Sequence, residues 1–475
     1  MNKIKLVLGI SALFALGVNN GYAQSKVHAV TDLSHEFTFY SDHRFHNQYL
    51  QGHKGETNWC SLFNFDLSNT NLLILPGCAD EISYTKEDIA TIKSFLNSGG
   101  GVVLMGTHQG KSQNKLAQVF GASFVDKAEL PFVGSDASTQ TSIEAKGGSY
   151  MKLDKPQSWN VLIKDAQSRP VMAVSNVGKG KLLVASRSLA GSNPNASDSI
   201  NKDIWKPLLV NLASGKRVDS NKPTYSRGID QLEYEEKRDA FVLRYNDYLK
   251  PYAGAMIDIS ERCMPVIEKR MGVPLSKGMG SEVALLATGG GGFSSGKTIA
   301  LAVWWGDFPK KEDSMIEFIT HESVHSWVLP FPEVWNEPIA TYVGNLVMCD
   351  MGHREEGLRR IQSTIDRARK HDPKMTCYDL DGKATNGGTT LSDGAKNDIH
   401  WGKSYFVLEE LRKQDPDFIA KYFRAKRKYA TGSTISEYGI HNTVLLLSHV
   451  MQKDLFEWFN SLGIQADRSK ATIRI

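Results

Sequence analysis

Two histidines stand four residues apart with a glutamate directly after the first, in His321-Glu322-Ser323-Val324-His325, and a further glutamate, Glu337, follows twelve positions later. On a helix, positions i and i+4 share a face, so the imidazoles of His321 and His325 can both reach one Zn²⁺ at about 2.0–2.1 Å. Glu322 lies beside them, where its carboxylate can take a proton from a water whose pKa the metal lowers to roughly 7. A third ligand is required. Glu337 supplies it if Pro330 and Pro332 break the chain and a second helix turns back from Asn336, giving two histidines, one carboxylate and an open position for water. Glu333 is the competing carboxylate. Pro338 is acceptable in a first helical turn, and Ile339, Val343 and Leu346 continue an apolar face behind Glu337, which favours the later residue.

The elements that must hold these groups are legible nearby. Ile316, Ile319, Val324 and Val328 form an apolar stripe that predicts a helix over Ser314 to Val328. Ahead of it, Val283 to Ala287 reads as a strand. Gly291-Gly292-Phe293-Ser294-Ser295-Gly296-Lys297-Thr298 then matches the phosphate-loop pattern letter for letter. A phosphate cradle needs a helix beginning at the lysine. Ile299 to Trp305 is instead β-branched and aromatic, so the stretch reads as a glycine-rich hairpin between strands. Thr298 to Trp305 is then placed to pair with an extended peptide. An oxyanion donor is expected from the helix that opens at Asp398-Ile399-His400-Trp401-Gly402-Lys403-Ser404-Tyr405 and runs to about Arg412. His400 and Tyr405 are the candidates, weighed against a capping histidine and a packed tyrosine.

The chain has 475 residues, 41% hydrophobic and 23% charged, as an ordinary globular protein of two or three domains would. Residues 1–23, with Lys3 and Lys5, an apolar run from Leu6 to Val18 and the ending Gly21-Tyr22-Ala23, read as a secretory signal peptide. Its removal takes the formal charge from +4 to +2, which offers nothing to nucleic acid or an anionic membrane. No later apolar run approaches the ~20 residues of a membrane span, so an exported soluble protein is expected. Five cysteines allow pairs such as Cys60–Cys78 and Cys349–Cys377, with simple buried thiols the equal alternative.

From residue 24 to 218, strand-like runs at Leu72 to Leu75, Gly101 to Met105, Val171 to Val174 and Lys181 to Ala185 alternate with helix-like runs at Thr85 to Leu96 and Lys115 to Phe120. That alternation predicts an α/β domain. His28, His35, His43, His46 and His53 have no metal-ligand spacing and read as ordinary surface and loop histidines. Gly191 to Ser197 reads as an exposed loop and Ser214 to Arg227 as a linker, which puts the boundary near Asp219 and a second domain over 219–475. In that domain Glu233 to Tyr252 and Ser260 to Met271 look helical. Asp379, Asp381 and Asp393 fall in a solvated loop, and the basic run Arg424 to Lys428 forms an exposed helical face.

The run His321 to Tyr342 resembles the gluzincin metallopeptidases, whose pattern is HExxH followed by a glutamate, often in Asn-Glu-x-x-Ala. The resemblance implies an α+β zincin-like fold with a helical C-terminal part, His321, His325 and Glu337 as zinc ligands, and Glu322 as general base. The acidic residue some of these families carry five positions after the ligand glutamate is replaced here by Tyr342. The first domain resembles the class I glutamine-amidotransferase-like (flavodoxin-like) fold. It has no cysteine after Met105, where Gly106-Thr107-His108-Gln109-Gly110 stands, and Cys78 has no evident His-Glu pair, so a binding or spacer role is expected. This domain order, together with Lys453 to Ile464, resembles the enhancin-like group. The resemblance implies an exported zinc metalloendopeptidase acting on a protein or glycoprotein. An endopeptidase is preferred because no Gly-x-Met-Glu-Asn motif is present. The alternative is a catalytically weak peptidase-like protein that binds surface glycoconjugates or proteins.

Overall fold

The computed structural model describes residues 26–37, 49–50, 52–134, 142–143, 145, 147–190, 199–219, 228–328, 333–378, 385–386, 389–431 and 438–475. The expected signal peptide, His43 and His46, the loop at 191–197, most of the linker after Asp219, the Pro330–Pro332 turn, and Asp379 and Asp381 lie outside these residues. The chain is mixed α/β. Among the described residues no helix is long and apolar enough to cross a membrane. Two compact bodies form: Met1–Glu235 with Tyr245–Pro251 and Leu286–Thr288, and Glu236–Arg244 with Tyr252–Leu285 and Gly289–Ile475. The division falls beyond Asp219 because residues 228–235 belong to the first body. There the Gln231 side chain accepts the Trp59 N–H (2.8 Å) and the Glu233 carboxylate accepts the Ser61 N–H (2.7 Å).

The first body is a nine-stranded sheet. Its strands are β1 (His28–Asp32), β2 (Lys54–Asn58), β3 (Leu72–Leu75), β4 (Gly101–Gly106), β6 (Phe132–Gly134), β7 (Ser142–Ile143), β9 (Trp159–Lys164), β10 (Pro170–Val177) and β11 (Gly180–Ser186). A separate pair is formed by β5 (Ala122–Lys127) and β8 (Ser149–Leu153). The spatial order is β2-β1-β3-β4-β11-β10-β9-β6-β7, parallel from β2 to β11 and antiparallel beyond. Alternation along the strands decides the layers. Leu73, Val102, Leu104 and Val184 pack with α1 (Lys86–Asn97) and α2 (Lys111–Val119), whereas Leu72, Val103, Met105 and Leu183 pack under α3 (Ser199–Ala213). Thr85 opens α1 with a capping box to Asp88. Gly99 closes the chain after it at φ +96°, where a Cβ would lie 2.4 Å from the Gly215 carbonyl oxygen.

Two of the N-terminal histidines depart from the surface role expected of them: His28 is buried in β1 with Nε2 3.5 Å from Glu56, and His35 lies deeper still. His35 is fully buried between two carboxylates, with Nδ1 2.8 Å from Asp32 and Nε2 3.3 Å from Asp88. Tyr248 donates to Asp88 at 2.6 Å, and the rings of Tyr84 and Tyr248 lie against the imidazole. Cys78 does not offer a nucleophile: burial holds its thiol far above the ordinary range, and it faces the Ala79 and Ile82 carbonyls. None of the five cysteines is in a disulfide, so neither expected pair forms.

A second sheet, of five strands, begins with β12 (Tyr234–Lys237) and β13 (Val242–Tyr245), where a helix was expected. In β13 burial alternates residue by residue, and that period of two overrides the helix-forming charged residues around it. After α4 (Lys250–Met271) come β14 (Glu282–Leu286), β15 (Phe293–Ser294) and β16 (Thr298–Ala302), in the sheet order β12-β13-β14-β16-β15. The phosphate-loop match is therefore the β15–β16 hairpin. Gly296 turns it at φ +79°, and Lys297 pairs with Glu282 at 2.5 Å. The sheet edge is β15, and β16 lies inside it, so the strand expected to face a peptide is covered over Ile299 and Ala300.

The remainder is helical: α5 (Asp313–Val328), α6 (Asn336–Asp350), α7 (Arg354–His371), α8 (Asp393–Gln414), α9 (Phe418–Tyr429), α10 (Ile440–Val450) and α11 (Phe456–Ser461). Two buried lysines tie these helices together. Lys403 bonds Asp372 and the Leu462 carbonyl, each at 3.0 Å. Lys426, expected on an exposed face, pairs instead with Glu333 and with the Val328 carbonyl, both side chains being nearly inaccessible. Asp393 stands exposed beside Lys396.

Candidate metal centre

Eleven residues of α5 are buried, Met315, Ile316, Phe318 and Ile319 among them, which presses the helix into the body and fixes the angle at which His321 and His325 emerge. The next helix, α6, is buried from Pro338 through Met348 apart from Thr341. Pro338 sits in its first turn, where the missing N–H would have had no helical partner. Glu337 is thereby delivered to the same point as the two histidines.

There the donor atoms converge. His321 Nε2 and His325 Nε2 are 3.1 Å apart, and the two Glu337 oxygens lie 3.3 Å from His321 Nε2 and 3.5 Å from His325 Nε2. A tetrahedral ion with bonds of 2.0–2.1 Å has donors about 3.3 Å apart along each edge, so the spacing and chemistry of this set fit Zn²⁺. The Glu337 side chain is 58% exposed, leaving the site open on that side. Glu322 offers a further carboxylate oxygen within 4.8 Å of the donor atoms of both histidines. Glu333, the rival for third ligand, is held in the buried pair with Lys426 and accepts the Tyr422 hydroxyl at 2.8 Å.

The two carboxylates at the centre are driven apart electrostatically. The hydrogen bond to His321 holds Glu337 below the ordinary carboxylate range, against burial, and His325 adds to the effect. Burial pushes Glu322 up to about 7, against the attraction of His321 and with help from the charges of Glu337 and Glu317. Glu337 thus stays anionic, as a ligand must, while Glu322 is poised to exchange a proton near neutrality. The strand hairpin reaches this carboxylate too. A Cβ on Gly292 would lie 3.1 Å from Glu322 Oε1, 2.7 Å from Phe318 and 2.4 Å from the Ala300 carbonyl oxygen, so only glycine lets the hairpin close this far.

His400 and Tyr405 are both on α8 but serve different places. His400 Nδ1 lies 3.2 Å from the Tyr378 hydroxyl, which also accepts the Trp335 indole N–H at 2.8 Å, and so joins His400 to the residue that caps α6. Burial lowers its pKa, keeping the ring neutral at pH 7. Tyr405 is 1% exposed, and its hydroxyl receives Asn345 Nδ2 at 3.4 Å. It lies next to Thr341, on the Nδ1 side of His321 and away from the point where the Nε2 atoms meet.

Thr341 is the member of the site that sequence reasoning missed: its Oγ1 lies 2.8 Å from His321 Nδ1. The signal was available in its position four residues after Glu337, hence on the same helical face. His325 Nδ1 has no hydrogen-bond partner among the described residues. Burial and the charge of His321 lower the His325 pKa, against Glu337 and the nearby Asn336 side chain.

No family model and no curated protein matches this chain. Among solved structures it is similar to the mmIFT52 N-terminal domain (18% identity over 39% of this chain and 98% of that one, TM-score 0.33). It is likewise similar to the cytoplasmic protein STM1381 from Salmonella typhimurium LT2 (13%, 39% and 98%, TM-score 0.30). A conserved protein of unknown function from Bacillus anthracis str. Ames aligns over 50% of this chain and 49% of its own at 12% identity and a TM-score of 0.33. At these scores the likenesses assign neither a fold family nor an activity.

Proposed function

We propose that the chain is an exported zinc metalloendopeptidase of gluzincin type that hydrolyses peptide bonds in proteins or glycoproteins. The observation that carries this reading is the meeting of two imidazole Nε2 atoms and one carboxylate at tetrahedral-edge spacing, with a second, buried carboxylate beside them. His321, His325 and Glu337 would hold the zinc, which when bound supplies Lewis acidity toward a carbonyl and makes water a stronger acid. Glu322 takes the water proton and passes it to the leaving amine, a role suited to a carboxylate that titrates near neutrality. His400, neutral and linked through Tyr378 to the start of α6, is the donor for the developing oxyanion. The first body is read as flavodoxin-like, of the amidotransferase-like kind. Its parallel strands run β2-β1-β3-β4-β11, the 2-1-3-4-5 order of that architecture, and with Cys78 sequestered it serves binding rather than chemistry.

The test compares wild type with Glu322→Gln, by zinc content and by a proteomic cleavage profile on glycosylated and plain proteins. The variant is expected to keep one zinc per chain and to lose cleavage by about 10²–10⁴-fold, the usual worth of a general base. Full activity in the variant would sink the mechanism. Zinc in the wild type without any cleavage would replace the peptidase by a binding protein built on the same site.

A further inference from the structure

We infer that Lys426 is a positioning residue of the candidate centre: from α9 it ties the end of one ligand-bearing helix to the approach of the other. The inference rests on the zinc reading above. Lys426 Nζ donates to the Val328 carbonyl at 3.2 Å and pairs with the Glu333 carboxylate. Val328 closes α5 three residues after His325, and its carbonyl is one of those that a helix end leaves without an internal partner. Glu333 stands four residues before Glu337, which lies in the first turn of α6. One ammonium group therefore grips the chain on both sides of the connection, close to a ligand in each direction.

The tie is shut away from solvent. Both charged side chains are almost wholly enclosed, and Tyr422, one turn before Lys426 on α9, donates to the second Glu333 oxygen at 2.8 Å. The Tyr438 hydroxyl lies 2.6 Å from that of Tyr422, and the Tyr438 ring centre lies 4.7 Å from Nζ. Both Glu333 oxygens are thus held from one helix. Such a pair is a poor source of stability, since apolar side chains of similar size often do as well or better. What apolar side chains cannot do is hold a carbonyl and a carboxylate at once. That double hold sets the spacing between the last turn of α5, which carries His325, and the first turn of α6, which carries Glu337. Glu337 Oε1 lies 3.5 Å from His325 Nε2, and a metal constellation has to be kept within about 0.5 Å of its working geometry. The tie therefore acts on metal affinity through the place of Glu337.

The experiment measures zinc affinity of the full chain by competition against a chromogenic chelator, with no substrate present, together with the melting temperature of the metal-free proteins. Glu333→Leu combined with Lys426→Met removes both charges, so neither is stranded, and the metal-free double variant should melt close to wild type. It should bind zinc about 10–100-fold more weakly, the usual cost of disturbing the groups behind a metal's ligands. The same two changes are then made beside Glu337→Ala, where the ligand that the tie places is gone, and there they should cost under about 3-fold. Equal losses in the two backgrounds would overturn the inference, because a general loosening of the body weakens both alike. So would an unchanged zinc affinity in the double variant. If that variant fails to fold, Tyr422→Phe, which releases one Glu333 oxygen and keeps the ion pair, takes its place in both backgrounds and is read in the same way. A wild type that binds no zinc at all overturns the proposed function instead, so the two failures are distinct.

Discussion

The buried His35 cluster makes stability depend on pH in a calculable way. His35 is completely enclosed, and burial alone would discharge it. The carboxylates of Asp32 and Asp88 outweigh that effect and raise its pKa from 6.5 to about 9. At about 1.4 kcal/mol per pH unit, this rise corresponds to about 3 kcal/mol of stabilisation of the folded chain. The contribution is fully present below the unfolded value near 6.5 and is lost as pH rises through 9. Asp88 behaves in the opposite sense. Burial opposes its charge, but His35 and the Tyr248 hydroxyl hold its pKa below the ordinary value, so its share is present above about 4 and is lost on acidification. The assay is urea unfolding of the full chain at intervals from pH 6 to 10, following the transition of the first body, for wild type and His35→Gln. Wild type should lose about 3 kcal/mol across this range, and the glutamine variant should be weaker at pH 6 and nearly flat above it. Parallel pH profiles for the two proteins would refute the charged-histidine account.

Three further outcomes separate the geometry from simpler readings. Tyr405→Phe should leave turnover within a few-fold of wild type, because its hydroxyl lies on the far side of His321. His400→Ala should cost about 10²–10³-fold in kcat with zinc retained, as loss of an oxyanion donor does. Lys426→Met strands the Glu333 carboxylate in the interior and should destabilise the protein by about 3–5 kcal/mol in chemical denaturation, where a lysine on an open helical face would cost under about 0.5. Gly292→Ala should lower kcat by displacing Glu322 and the hairpin while zinc content holds. Gly289→Ala in the same loop, whose Cβ would come no closer than 3.4 Å to the Trp304 carbonyl, is expected to be silent.

The sequence displayed the candidate metal centre because its parts are local. His321, Glu322, His325 and Glu337 fall on two consecutive helices, so the helical period aligns the histidines and a single turn of chain direction brings the glutamate. The first body was legible for a similar reason: Leu72 to Leu75 and Gly101 to Met105 are apolar on both faces, which only a strand covered on two sides requires. The reading failed where burial is decided at a distance. His35 meets Asp88 across 53 positions, Lys426 meets Glu333 across 93, and neither pairing leaves a period in the sequence. Each residue taken alone therefore looked like surface. The strands Tyr234–Lys237 and Val242–Tyr245 were lost to the same limit, their charged residues favouring a helix until sheet neighbours imposed alternation.

Thr341 lies between these cases, and its omission follows from reading for charge. The next residue, Tyr342, has its hydroxyl committed to Glu409. A threonine four positions after Glu337 carries no charge to notice. Yet in a helix an offset of four shares the ligand's face more closely than an offset of five, since four residues span 400° and five span 500° at about 100° each. The geometry of α6 therefore favours the hydroxyl it has.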